Sequence, residues 1–458
     1  MLKQITITHF KSYRHGVLPL APLTVLIGAN ASGKSNAIEA MRLLSWLAQG
    51  HKLSTIKSGI QDSDQVVRGR IADLGHHGAP SFGFGCSTDL PEWNRLSIEL
   101  SLRNDELHVS GESLTGWGSP VPLYELVQAS SGLSSDVAVA YNNFAQGGKK
   151  PRITCSDQFA IFTQLDSEAS FQARNKRSRR LIPLTVRRYQ TWLERILFLD
   201  PEPAKMRDYS FKTERQLQGN GANLSSVLYD LWYSEIDGLL HSEIDEIPDG
   251  KADGKYPFRE AILGFIRSLP EQDIETLAFL DGPRGEVMVQ LVETFGDTPR
   301  AYDATLLSDG TLRVLAIASA MLSAPEESMV VIEEIDNGVH PSRAHHLMEQ
   351  IQRVAVQRSL RVLLTTHNPA LLDALPDRAI PDVVFCYRSP DDGSSRMQRL
   401  QDLVEYPELI AQGSLGELLS AGTLERFVKA QRSGNEREQQ ALAWLDEIRG
   451  VGTGAGHE

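Results

Sequence analysis

The sequence predicts an α/β fold, a parallel-sheet head joined to an antiparallel β subdomain and a helical insertion. Three observations carry that prediction. Short apolar runs, Thr24-Val25-Leu26-Ile27, Met329-Val330-Val331-Ile332 and Val362-Leu363-Leu364-Thr365, read as strands covered on both faces. The first run enters a Gly-rich loop and then a helix, with Ile38, Met41, Leu44 and Leu47 at helical spacing and Gly50 as its stop. Across residues 66–164 short polar and apolar alternation is punctuated by Gly75, Gly78, Gly83, Gly85 and Gly147-Gly148, as antiparallel hairpins require.

Taken in order, the opening segment alternates Ile5 and Ile7 with polar residues, extending to Phe10, as a half-buried strand does. The first strand–loop–helix unit follows, then the hairpin region. The chain turns helical over 189–197, 224–240 and 258–269 and returns to strand at 287–292. Apolar strands at 329–332, 362–365 and 383–387 then alternate with helices. Heptads are not sustained, so no long coiled coil is expected. These signals divide the chain into 1–165 and 285–390, which build the head, a helical insertion or lid at 166–284, and a helical C-terminal appendage at 391–458. Leu415, Leu418 and Leu419 read as residues that cover the head, with docking of a partner as the alternative, and the Gly-rich tail at 450–458 reads as disordered.

Composition is ordinary for a globular chain of 458 residues, 41% hydrophobic and 23% charged, a length that suits two or three domains. No apolar stretch approaches the roughly 20 residues that span a bilayer, and Met1-Leu2-Lys3-Gln4-Ile5 lacks the pattern of a signal peptide. Cys86, Cys155 and Cys386 are scattered and form no CxxC pair, which suits a reducing compartment; a cytoplasmic protein is expected. A net charge of −13 argues against general coating of nucleic acid. Within residues 174–188, however, Arg174, Lys176, Arg177, Arg179, Arg180, Arg187 and Arg188 occur with no acidic residue. That block is either a solvated basic surface or a face for phosphates or an acidic partner.

Gly28-Ala29-Asn30-Ala31-Ser32-Gly33-Lys34-Ser35 fits G-x-x-x-x-G-K-[ST] without mismatch, between strand and helix. Gly28 and Gly33 let backbone N–H groups close around a phosphate at the positive end of a helix, with Asn30 and Asn36 beside it. Lys34 would reach the β- and γ-phosphates of ATP, and the Ser35 hydroxyl would coordinate Mg²⁺. Glu333 and Glu334 emerge from the C-terminal end of an apolar strand, where α/β sheets place ligands. Glu333 would hold Mg²⁺, and Glu334 would polarise the attacking water. Leu307-Ser308-Asp309-Gly310-Thr311 precedes a helix, so Ser308 and the amides around Gly310 suit either a γ-phosphate or a plain helix cap. His367 ends a buried strand where an imidazole can meet a γ-phosphate.

The order of these elements resembles the ABC-type ATPase heads of the RecF, SMC, Rad50 and OLD group. The phosphate loop is followed by LSDGT where the family has its signature, by IEE-IDNGVHP with Asp336 in the D-loop, and by TTHNP with His367 at the switch position. Phe10-Lys11-Ser12-Tyr13 is similar to that group's N-terminal element, whose basic residue, here Lys11, approaches the nucleotide. The resemblance implies a Q-loop glutamine that contacts the metal; Gln164 is the candidate, with Gln158 as its rival. It also implies a homodimer, with ATP held between Lys34 of one copy and Ser308 of the other. Where that family carries Asp at the first acidic position this chain has Glu333, which suits a water-mediated metal contact or slow turnover.

Within the group, a transporter domain is disfavoured by the FKSY start and the long gap between phosphate loop and signature, and long-armed SMC function by the missing heptads. No metal-binding acidic set for a nuclease follows His367. The segments Phe198-Leu199-Asp200-Pro201-Glu202-Pro203-Ala204-Lys205-Met206-Arg207 and Tyr406-Pro407-Glu408-Leu409 resemble compact ATPases encoded beside small effectors, including the ATPase subunits of anti-phage systems such as Septu and PARIS. That likeness implies a nucleotide-dependent sensor controlling a partner effector. The rivals are a RecF-like DNA repair ATPase, with DNA on residues 174–188, and a scaffold that binds ATP and barely hydrolyses it.

Overall fold

The computed structural model describes residues 1–56, 66–130, 134–240, 257–267, 274–295, 298–337 and 341–429. Strands β1 (Leu2–Phe10) and β2 (Tyr13–Pro19) form an antiparallel hairpin, and β3 (Leu23–Ile27) is buried at every position. Helix α1 (Lys34–Ala48) follows the Gly-rich loop. Strands β4 (Ser81–Thr88), β5 (Arg95–Arg103), β6 (Glu106–Gly116), β7 (Ser119–Gln128), β8 (Asp136–Tyr141) and β9 (Arg152–Ser156) extend the first hairpin. Together they make an eight-stranded antiparallel sheet in the order β2-β1-β4-β5-β6-β7-β8-β9.

Helix α2 (Lys176–Glu194) leads to β10 (Leu197–Leu199) and the two-residue β11 (Ser210–Phe211). Helices α3 (Leu224–Leu240) and α4 (Pro257–Ile266) come next, then β12 (Ile274–Asp281), β13 (Glu286–Phe295) and β14 (Thr298–Asp303). With β11 these strands form a small antiparallel sheet centred on β13. The remainder is α5 (Asp309–Ser323), β15 (Met329–Ile332), α6 (Pro341–Gln357), β16 (Arg361–Thr365), β17 (Val383–Arg388) and β18 (Ser395–Arg399), followed by short helices.

The head is a six-stranded sheet in the order β10-β15-β16-β3-β17-β18, parallel except for β18. Alternation along its strands divides each between two cores, because successive side chains point to opposite faces. Val25, Ile27, Val330, Ile332, Val362 and Leu364 pack on the face covered by α3, α4, α5 and α6. Met329, Val331, Leu363 and Val384 point the other way, toward α1, α2 and the antiparallel sheet. The continuous apolar runs follow from burial on both sides.

The structure departs from the expected boundaries in several places, and β11 and β12 lie within the 166–284 stretch expected to be helical because they pair with β13. Strand β10 lies inside the 166–284 insertion yet forms the edge of the head sheet, paired in parallel with β15; three residues are too few to show periodicity. The helix expected over 189–197 instead spans Lys176–Glu194, so the basic block is helical, and Leu197 already belongs to β10. Ile182, Val186, Tyr189 and Leu193 form its buried stripe. Strand β18 likewise joins the head sheet from within the expected appendage. Leu415 and Leu418 are buried in the head core, with Leu419 packed against it. Residues 430–458, including the tail, lie outside the described residues. Among the described residues, no helix is long and apolar enough to cross a membrane.

Candidate functional site

Strand β3 delivers the chain into the loop Gly28–Ser35 at the C-terminal edge of the head sheet. Gly28 has φ 144° and Gly33 φ 120°, in the region that favours glycine. A Cβ on Gly28 would lie 2.1 Å from the Cys386 carbonyl oxygen, and one on Gly33 2.3 Å from Ser395 Oγ. The loop's carbonyls are held from outside it. Arg388 Nε donates to Ala31 O at 3.0 Å, Ser395 Oγ to Ser32 O at 2.6 Å, and Tyr13 hydroxyl to Gly33 O at 3.1 Å. Burial pushes the Tyr13 hydroxyl and the Cys386 thiol up, so both remain neutral donors. No side chain caps α1 at Gly33, which leaves the first-turn N–H groups of the helix to meet an anion.

The FKSY element supports this loop. Asn36 Nδ2 donates to Ser12 Oγ at 2.7 Å, and Ser395 Oγ reaches the same oxygen at 2.8 Å. Lys34 Nζ folds back on Gly28 O at 2.6 Å and Ala29 O at 3.0 Å. Burial lowers the Lys34 pKa, while the neighbouring Cys386, Glu334 and Asp336 oppose that fall.

The acidic pair arrives from β15, one strand removed from β3. Glu333 N–H donates to Leu199 O at 3.1 Å, and its carboxylate accepts from Arg42 Nη2 at 2.7 Å. Glu334 sits at φ 49°, uncommon for a residue with a side chain. Its N–H donates to Thr365 Oγ1 at 2.9 Å and its carboxylate accepts from Asn337 Nδ2 at 2.8 Å. The turn after β16 brings His367 Nδ1 within 3.6 Å of Asp336 Oδ2. Among the described residues the other Asp336 oxygen is buried without a hydrogen-bond partner.

These elements enclose a cleft of about 400 Å³, within the usual size of small-molecule sites. Its walls include Asn30, Gly33, Lys34, Ser35, Asn36, Glu333, Glu334 and His367. Of the expected residues, the fold brings these eight to one place. Arg68 and Arg388 also line it and were not anticipated; each is placed by contacts remote in sequence. Arg42, paired with Glu333, and Asp200 stand near the acidic pair without lining the cleft. Partial burial raises the Asp200 carboxyl, Arg42 and Arg313 oppose that rise, and Glu334 and Glu202 add to it.

Six expected residues are not among its walls: Gly28 and Asp336, which adjoin it, and Lys11, Gln164, Ser308 and Gly310. Lys11 directs its ammonium to the buried Glu39 carboxylate and to Arg68 O, the latter at 2.8 Å. A buried carboxylate needs such a cation, and Arg68 supplies the second one to the same group. Gln164 uses its amide on backbone, donating to Ser156 O at 2.8 Å and accepting from Ser156 N at 2.8 Å. Its rival Gln158 donates to Leu107 O at 3.4 Å and contacts the His108 ring. Ser308 is the N-cap of α5, accepting from Thr311 N at 3.1 Å, with Gly310 in the first turn. Residues Gly338, Val339 and His340 of the segment after Asp336 lie outside the described residues.

Residues 1–75 match a family model described as "AAA ATPase domain", and residues 161–373 one described as "AAA domain, putative AbiEii toxin, Type IV TA system". The two matches contain the phosphate loop and the signature, acidic pair and switch histidine respectively. Both descriptions are of AAA-type ATPase domains, in keeping with the chain's resemblance to ABC-type, RecF/SMC-like ATPases. A DNA replication and repair protein RecF of Cyanothece sp. (strain PCC 7425 / ATCC 29141) is 38% identical over 69 residues, 14% of this chain and 18% of that protein. The chain thus spans less than a fifth of that relative's length. Among solved structures, an SMC head bound to the C-terminal winged-helix domain of ScpA covers 87% of this chain and 96% of its own, at 13% identity and TM-score 0.43. The SMC head domain from Thermotoga maritima covers 87% and 98%, at 12% identity and TM-score 0.38.

Proposed function

We propose that this ATPase-family chain binds ATP with Mg²⁺ in the cleft and hydrolyses it to ADP and phosphate between two copies of itself. The observation that carries the reading is the convergence of Lys34, Ser35, Glu333, Glu334 and His367 on one cleft. Lys34 leaves its loop carbonyls for the β- and γ-phosphates, and the uncapped start of α1 receives the β-phosphate. Glu334 accepts a proton from water as that water attacks the γ-phosphorus in line and ADP leaves. His367, steadied by Asp336, donates to the γ-phosphate. Arg68 and Arg388 add positive charge at the wall.

The donor set fits Mg²⁺. Ser35 and Glu333 offer one hydroxyl and one carboxylate on the same cleft, and among the described residues no larger His, Cys, Asp or Glu cluster competes. Mg²⁺ takes few protein oxygens and completes its shell with phosphate and water. When bound it neutralises charge on the phosphate oxygens. Arg42 fixes the Glu333 carboxylate through a hydrogen bond at 2.7 Å. Ser308 and Gly310, being outside the cleft of their own copy, are read as reaching the nucleotide of a second copy, with Asp336 at the contact.

On this reading the bound nucleotide sets the assembly state, which a partner effector would sense. A prokaryotic anti-phage role is favoured by the family description that names a type IV toxin–antitoxin system. A second reading, RecF-like DNA repair, is favoured by helix α2, which exposes Lys176, Arg177, Arg180, Arg187 and Arg188, with Arg174 just before it. The ATP sandwich on which both rest is tested first by steady-state ATPase activity and assembly mass with ATP, for wild type and Glu334→Gln. Turnover lower by about 10²- to 10⁴-fold, with ATP retained in a larger assembly, supports the sandwich. Normal hydrolysis by Glu334→Gln overturns it. Wild type that binds ATP without measurable turnover would instead identify a scaffold.

A further inference from the structure

Strand β10 ends beside the acidic pair, since Leu199 O accepts the Glu333 N–H at 3.1 Å. From there Asp200-Pro201-Glu202-Pro203 runs into one helical turn, Pro203–Met206. Two prolines restrict that path, Glu202 N–H donates to Asn220 O at 2.9 Å, and Met206 is fully buried. The next residue, Arg207, donates through Nη2 to Leu307 O at 3.0 Å and to Asp309 Oδ1 at 2.6 Å. Those two acceptors flank Ser308, the N-cap of α5. One anchored segment therefore connects the carboxylates of the cleft to both neighbours of the signature serine.

We propose that Arg207 is a positioning residue for Ser308, and that the segment from Leu199 to Arg207 links the cleft of one copy to the serine it presents to the other. The inference rests on the sandwich reading above. The Asp309 carboxylate provides the handle that Arg207 grips. A shift of Glu333 and Glu334 on nucleotide binding moves the start of the segment. Its buried centre transmits that shift to the loop carrying Ser308, so each occupied cleft prepares the contact needed by the other.

The test uses the full chain with Arg207→Ala, Asp309→Ala, the double variant, and the exchange Arg207→Asp with Asp309→Arg. ATP affinity is read with a fluorescent ATP analogue at a protein concentration where single copies prevail. Dimer affinity is read by sedimentation with ATP in the Glu334→Gln background. Because both side chains are partly exposed, the expected loss is modest, about fivefold in turnover and in dimer affinity. ATP affinity of the single copy stays at the wild-type value. The double variant loses no more than either single one, since both remove one interaction, and the exchange restores most of the loss. Wild-type turnover and dimer affinity in Arg207→Ala, or additive losses in the double variant, overturn the proposal. A fall in ATP affinity without a change in dimer affinity does so as well, by placing Arg207 in the cleft's own stability. If Glu334→Gln alone forms no ATP-dependent dimer, the sandwich reading fails and takes the inference with it.

Discussion

Glu112 should make the stability of this protein fall as pH rises from the acid range toward neutrality. Its side chain is buried within β6, and three donors converge on it: Tyr124 hydroxyl at 2.7 Å, Ile161 N–H at 2.6 Å and Phe162 N–H at 2.7 Å. Burial nevertheless dominates and raises its pKa from 4.5 to about 7, against the pull of those hydrogen bonds. The folded state thus binds a proton that the unfolded state releases between those two values. Where the folded state holds more protons, stability decreases with increasing pH. The contribution of Glu112 is fully present below pH 4.5 and is lost as pH passes about 7. A shift of that size corresponds to about 3 kcal/mol. The assay is urea denaturation of wild type and Glu112→Gln between pH 4.5 and 8, taking the difference at each pH so that unaltered groups cancel. Wild type should lose about 3 kcal/mol relative to the variant across that range. A flat difference would refute the reasoning. A difference that grows with pH would show that the three donors, rather than burial, set the charge state.

Three further outcomes follow from other contacts. Gly33→Ala forces a Cβ against Ser395 Oγ and strains φ 120°, a cost of about 1–3 kcal/mol in the loop. Thermal stabilisation by ATP should vanish, and Ser395→Ala should not recover it, because the backbone strain remains. Glu39→Ala leaves Lys11 and Arg68 without their buried partner, so the unfolding free energy should drop by about 1–3 kcal/mol; an unchanged denaturation midpoint would contradict that. If DNA docks on α2, replacing Arg180, Arg187 and Arg188 with Ala should flatten the salt dependence of DNA affinity by up to about 3 in logarithmic slope. An unchanged slope in a binding titration removes this face from consideration.

The cleft was legible in the sequence because a parallel sheet converts chain order into proximity. Each strand β3, β15 and β16 ends at the same edge, so the residues just after them, Gly28–Ser35, Glu333-Glu334 and Thr366-His367, must meet whatever the intervening segments do. Residues whose position depends on a remote partner left no local trace. Arg68 arrives because Glu39, buried on α1, draws in both it and Lys11; the FKSY resemblance pointed to Lys11, but the two cations share one carboxylate and Arg68 is the one at the cleft. Gln164 failed differently. Its amide spans donor and acceptor on Ser156, tying the short helical turn Ile161–Gln164 to the end of β9, a purpose that a single glutamine serves without any periodic signal. In α2 the helical stripe Ile182, Val186, Tyr189 and Leu193 was present in the sequence, yet the surrounding arginines lowered the mean hydropathy of the segment and obscured it. Burial decides such a helix through one face only, so charge on the opposite face says where it meets solvent or a partner, not whether it forms.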